Sequence, residues 1–216
     1  MNSRAAKIVS EGGVIAFRTD TFYGLGVDPF NAAAVAKIRE QKGREENKPI
    51  LLLLSDASVA DRFIADRSKA FEETAKKFWP GPLTIVGVAV PNLPPEITAG
   101  TGTVGVRVPA DDDVRELVRE CGGALTATSA NPSGSEPARS AREVIAYFGE
   151  LVDLVIDGGE VTATEPSTVL DVTTSPPRVV REGALSLLHD FQDLHDVFVQ
   201  SQLRWSNTGT GISNNA

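Results

Sequence analysis

The chain has 216 residues, 41% of them hydrophobic, with a formal net charge of −8 and a single cysteine, Cys121. That length buries a core without staples, and one cysteine excludes an internal disulfide framework and suits a reducing compartment. Two histidines, His189 and His195, argue against zinc-ligand spacing and a histidine-activated nucleophile, while the acidic balance disfavours a general nucleic-acid coat.

Residues 13–17 read as a buried strand. The next segment, Arg18-Thr-Asp-Thr-Phe-Tyr-Gly-Leu-Gly26, is rich in hydroxyls and ends in glycines that permit close backbone approach. If it stays extended, Thr19, Thr21 and Tyr23 face one way. A strand edge with a bulge and a binding site explain it equally well. Asn31 is placed to cap a helix over 32–41, Gly43 to end it, and Pro49 to forbid its continuation. Lys42, Arg44 and Lys48 then precede an apolar strand over 50–54. They form either a solvated helix end favourable to the dipole or a phosphate-binding loop.

Helices are expected over 58–65 and 68–79, the second with an apolar stripe through Ala70, Phe71, Ala75 and Phe78. Trp79-Pro-Gly-Pro82 leads into a strand over 83–90, and 91–102 reads as a mobile Pro/Gly/Thr loop without regular structure. The strand 103–109 contains Arg107, and a guanidinium inside Val-Gly-Val-Arg-Val needs a partner or an anionic ligand. A helix over 111–120 follows. Residues 125–128 form a strand that runs out before Pro132, with Ser129 and Asn131 emerging on one face. Taken alone, that stretch is better explained by ordinary turn chemistry than by a site.

Ser140-Ala-Arg-Glu143 is a capping box for a helix that Gly149 stops near Phe148. Strands over 152–157, 167–172 and 178–182 precede an amphipathic helix over 187–203, through Leu188, Phe191, Leu194 and Phe198. A polar tail, 206–216, is expected to be disordered. No repeat or composition break divides the chain, which reads as one α/β domain. No signal peptide and no membrane-length apolar run are visible, so a soluble cytoplasmic protein with no membrane partner is expected.

Several segments together resemble one family. They are Thr19-Asp-Thr-Phe-Tyr-Gly-Leu-Gly, Lys42-Gly-Arg44, Lys48-Pro49, Phe78-Trp-Pro-Gly-Pro-Leu-Thr84, Val104-Gly-Val-Arg-Val-Pro109, Ser129-Ala-Asn131, Asp157-Gly-Gly159, Ser167-Thr-Val and Arg181-Glu-Gly-Ala. In that order they resemble the YrdC-type threonylcarbamoyl-adenylate synthases. Two positions depart from the family pattern: Arg18 stands where proline is usual, and Pro166 separates Glu165 from Ser167.

The resemblance implies a single open YrdC-like α/β domain over 1–187, a twisted mixed sheet flanked by helices with a concave cationic pocket. A C-terminal helix over 188–204 and a tail over 205–216 would follow. It implies condensation of ATP, bicarbonate and L-threonine to threonylcarbamoyl-AMP and pyrophosphate, for threonylcarbamoyladenosine modification of tRNA. By resemblance, Lys42, Arg44 and Ser129 are catalytic. Arg44, Lys48, Thr103, Asn131 and Arg181 would hold ATP, while Thr21, Arg107, Ser129 and Ser167 would hold threonine. Mg2+ would arrive on ATP, since no acidic metal cluster is visible. A tRNA-modifying transferase would receive the adenylate, and weak RNA binding is allowed for. Replacing Lys42 or Arg44 by alanine is expected to abolish product with the fold intact. Rival readings are an RNA-binding paralogue without synthase activity, a carbamate-adenylating domain of a larger enzyme, and a purely structural domain.

Overall fold

The computed structural model describes residues 2–43, 48–163 and 165–187. Arg44, the anticipated helix after Leu187 and the polar tail lie outside the described residues. The chain opens on a helix, α1 (Asn2–Ser10), and a hairpin of β1 (Ile15–Arg18) and β2 (Tyr23–Gly26). Then come α2 (Ala32–Lys42), β3 (Leu51–Leu54), a 3-10 turn (Ala57–Arg62), α3 (Lys69–Phe78) and β4 (Leu83–Val88). The second half contains α4 (Pro95–Thr98), β5 (Thr103–Arg107), α5 (Asp112–Glu120), β6 (Ala124–Ser129), α6 (Ala141–Phe148), β7 (Leu154–Ile156), β8 (Thr168–Asp171) and β9 (Arg178–Arg181).

Capping chemistry sets most helix boundaries. The Asn31 side chain accepts from the Ala34 N–H, and Gly43 closes α2 with φ at 57°, where a side chain would be strained. Ser68, Asp111 and Ser140 cap α3, α5 and α6 in the same way. The capping box of α6 closes one residue early, because the Glu143 carboxylate accepts from Arg139 N–H rather than from Ser140.

Among the described residues, nine strands form one mixed sheet in the order β7-β1-β2-β6-β3-β5-β4-β8-β9. The β7–β1, β3–β5 and β4–β8 pairs are parallel and the others antiparallel. Strand alternation sends neighbouring side chains to opposite faces. Leu52 and Leu54 join a core with Ala34, Val35 and Ile38 of α2, Phe71 of α3 and Val144 of α6. Leu53 joins a second core with Ala5 and Val9 of α1, Phe17, and Val114, Leu117 and Val118 of α5. Both faces are therefore covered by helices. Among the described residues, no helix is long and apolar enough to cross a membrane.

Three expectations change. Residues 91–102 are not structureless: α4 forms there and buries Ile97 and Thr98, because Pro95 supplies a helix-compatible φ at the first position. The 58–65 helix is a 3-10 turn. Helix α1 has no counterpart in the pattern above, although Ala5, Ile8 and Val9 carry the required i, i+3, i+4 spacing and pack toward α5.

Candidate active site

The segment between β1 and β2 is a tight turn, not an extended strand. Thr19 N–H donates to Phe22 carbonyl at 3.1 Å, and the Thr19 hydroxyl donates to the same oxygen at 2.7 Å. The Thr19 and Thr21 hydroxyl oxygens meet at 3.1 Å. Tyr23 departs from them: its hydroxyl donates to Gly159 carbonyl at 2.9 Å and accepts from Gly158 N–H at 3.1 Å. Its burial raises the phenol pKa above the usual value. The three hydroxyls thus do not share one face. Thr19 shapes the turn, Thr21 borders it, and Tyr23 ties β2 to the loop after β7.

The turn presents Asp20 to Arg107. Arg107 ends β5 and is only 2% exposed. Its Nη2 pairs with Asp20 Oδ1, and its Nε donates to Gly81 carbonyl at 3.0 Å. Burial pushes the guanidinium pKa down and the Asp20 charge opposes that shift. Gly81 is required where it stands, since a Cβ there would lie 2.4 Å from the Phe78 carbonyl oxygen. Arg18, one of the departures from the family pattern, reaches Asp111 Oδ2 at 2.6 Å. Two reciprocal ion pairs therefore join the β1–β2 turn to the segment after β5.

Arg181 lies near Arg107. Its Nη2 donates to Ser167 carbonyl at 2.8 Å and to Ser167 Oγ at 3.2 Å. Burial and then the like charge of Arg107 lower its pKa. Ser167 Oγ lies 2.9 Å from Thr84 Oγ1. Pro166, the other departure, is accommodated, because its carbonyl accepts from Ala184 N–H at 2.9 Å.

A second group gathers at the end of β6. Lys42 is 3% exposed, not a solvated helix end. Its Nζ donates to the carbonyls of Ser129 and Asn131, the latter at 2.5 Å, and lies 3.5 Å from Asn131 Oδ1. The Asn131 amide nitrogen is turned into its own loop, donating to Ser135 carbonyl at 2.7 Å. Ser129 and Asn131 meet the cation chiefly through their main chains.

The register separates the candidate residues into two ends of the sheet. β3 runs parallel to β5 with Leu52 opposite Val106, and antiparallel to β6 with Leu51 opposite Ala127. Lys48, Thr103, Ser129 and Asn131 therefore share one end. Arg107, Ser167 and Arg181 share the other, as Thr168 pairs with Leu83 and Arg181 with Val169. Four residue steps along β5 part Thr103 from Arg107, roughly 13 Å. The 18–24 segment links the ends: Asp20 meets Arg107, and Gly24 pairs with Ser129. The Thr103 hydroxyl contacts Thr101 Oγ1 at 2.9 Å, and the Lys48 carbonyl accepts from Arg39 at 3.1 Å.

Asp20, Gly81 and Thr84 are the contact residues that the sequence reading left without roles. Asp20 had a usable signal, since a lone buried arginine requires a carboxylate. Among the described residues, no cluster of three or more His, Cys, Asp or Glu could hold a metal. A cavity of about 590 Å3 lies elsewhere, along the β8–β9 hairpin beside Pro176, Val179 and Leu187.

A polar strip running from a lysine-bound strand end to a pair of arginines lies on a mixed sheet covered by helices, and it marks the candidate site of this α/β domain. The Sua5_yciO_yrdC family model, described as telomere recombination, matches residues 7–183, and the chain belongs to that family. It is 37% identical over 183 residues to the threonylcarbamoyl-AMP synthase of Pyrococcus abyssi, covering 85% of this chain and 54% of that protein. It is 42% identical over 163 residues to the synthase of Thiobacillus denitrificans, covering 76% and 86%. The chain thus spans about half of the first relative and most of the second. The structure of P. abyssi Sua5 complexed with L-threonine aligns with TM-score 0.85 at 36% identity, over 88% of this chain and 56% of that one. Escherichia coli YciO aligns with TM-score 0.77 at 28% identity, over 87% and 91%.

Proposed function

We propose that the chain is a threonylcarbamoyl-AMP synthase, a nucleotidyltransferase that condenses ATP, bicarbonate and L-threonine to threonylcarbamoyl-AMP, pyrophosphate and water. The observation that carries this reading is the placement of Arg107 and Arg181 at one end of a strip whose other end gathers Lys42, Ser129 and Asn131. Relatives bearing the synthase name at 37% and 42% identity support it, as does the threonine-bound P. abyssi structure.

On this reading the threonine amine captures CO2 as a carbamate, and a carbamate oxygen attacks the α-phosphorus as pyrophosphate leaves. Such chemistry depends on positioning and charge neutralisation rather than on a covalent nucleophile. Arg107 and Ser167, with Thr21 beside Asp20, would hold threonine. Lys48, Thr103 and Asn131 would face the nucleotide, with Arg44 and Arg181 on its phosphates. Lys42 would act first by holding the Ser129–Asn131 backbone and then by lending positive potential to the reacting phosphate. Ser129 would stand near the carbamate. Mg2+ would travel on the ATP phosphates. A tRNA-modifying transferase would take up the labile adenylate, completing threonylcarbamoyladenosine synthesis.

Pyrophosphate release with ATP, measured with and without threonine and bicarbonate, tests the proposal. Dependence on both is expected. Release driven instead by carbamoyl phosphate, or no release alongside RNA retention at moderate salt, would overturn it.

A further inference from the structure

Arg107 has a counter-charge in this fold. A guanidinium at 2% exposure stays protonated, and leaving it unpaired away from water is costly. In the free protein the counter-charge is Asp20. Two observations set the terms on which a second carboxylate can reach the same arginine. Arg107 Nε is fixed on Gly81 carbonyl at 3.0 Å, so the guanidinium plane does not turn freely to offer a fresh edge. Asp20 is held loosely apart from Arg107: its side chain is 18% exposed, and Ala110 N–H approaches its other oxygen only at 3.5 Å. Two carboxylates at one guanidinium edge repel one another. Asp20, which is partly exposed and has only one weak contact besides Arg107, is the one that yields.

Resting on the synthase reading, we propose that Asp20 is an internal stand-in for the substrate carboxylate. It occupies Arg107 in the free protein and is exchanged for the carboxylate of threonine, and thereby sets the affinity for threonine. The exchange conserves charge at Arg107 and lets the Asp20 carboxylate turn to water. Asp20 immediately precedes Thr21, so its release moves the hydroxyl that lies 3.1 Å from Thr19 Oγ1. The Arg18–Asp111 pair at 2.6 Å anchors the turn one residue before Thr19, which confines the movement to residues 19–22.

The test compares wild type with Asp20→Asn, which keeps shape and an acceptor oxygen but removes the charge. Threonine binding is read by calorimetry, and threonine and ATP dependence by pyrophosphate release. Asp20→Asn is expected to bind threonine roughly tenfold more tightly, because the internal competitor is gone. Its ATP dependence stays unchanged. Its melting temperature falls without ligand and rises more than that of wild type on adding threonine. Should Asp20→Asn fail to fold, Asp20→Ser gives the same comparison. Unchanged or weaker threonine binding in a folded variant would overturn the exchange and make Asp20 a support for Arg107. Wild-type protein showing neither threonine binding nor threonine-dependent pyrophosphate release would instead remove the synthase reading, and the exchange with it.

Discussion

The ammonium of Lys42, at the end of α2, donates to the main-chain carbonyl of Asn131 at 2.5 Å across 89 positions of sequence. The same ammonium bonds the Ser129 carbonyl, so the exit of β6 is held in shape by a charge from another element. The lysine is therefore structural before it is chemical. Lys42→Met should lower stability by about 2–3 kcal/mol, because buried carbonyls lose their donor. It should also abolish threonine-dependent pyrophosphate release. Chemical denaturation beside the assay checks this. A variant with full stability and no activity would assign Lys42 to the reacting phosphate alone, which is the expectation drawn from sequence.

Arg107→Lys should raise the threonine KM at least tenfold while the ATP KM changes little, since an ammonium cannot keep the Gly81 contact and still offer a carboxylate a planar fork. Equal changes in both constants would refute a threonine-specific role.

Gly81→Ala should destabilise the fold by about 2–3 kcal/mol through overpacking, as its Cβ would meet the Phe78 carbonyl oxygen at 2.4 Å. The carbonyl of Gly81 orients Arg107, so threonine KM should rise along with the loss of melting temperature.

Asp153 accepts from Val14 N–H at 2.7 Å and pairs with Lys37 at 3.2 Å. The backbone bond first, with Lys37 adding to it, holds its carboxyl below the usual carboxylate range. A depressed carboxylate contributes stability that is fully present above its unfolded pKa and is lost as pH falls through the folded value. Asp153→Asn should thus cost about 1 kcal/mol near pH 7, kept small by solvent exposure. The gap to wild type should begin to narrow below about pH 4 and go on narrowing as pH falls further. Denaturation curves at pH 7 and pH 3 measure it.

Burial, and then Glu120, push the Cys121 thiol up to about 11. At pH 8 its thiolate fraction is about one in a thousand, so thiol reagents should modify it far more slowly than they modify free cysteine. Modification rates followed from pH 7 to pH 10 should keep rising across that range.

Much of the fold was readable because local rules act within a few residues. Asn31, Ser68 and Ser140 each bind a backbone N–H three positions on, and Gly43 supplies a left-handed turn. These boundaries follow from side-chain chemistry that needs no distant partner. Helix α4 is not legible locally, because the fixed φ of Pro95 does not hold four residues without the burial of Ile97 and Thr98. Whether 19–22 stays extended is left open by the residue types, because the Thr19 hydroxyl closes the turn and alternation does not report that bond.

By itself the sequence determined the residue types of the site, their order along the chain and the need of Arg107 for an anion. Hydrophobic patterning and motif spacing are properties of neighbours, so they survive without coordinates. Only tertiary structure decided that Asp20 answers Arg107, that Lys42 is buried against Ser129 and Asn131, and that Arg181 comes close enough to Arg107 to feel its charge. These pairs span 74 to 89 positions, and electrostatic partners at such separations are chosen by strand register and sheet twist rather than by local sequence.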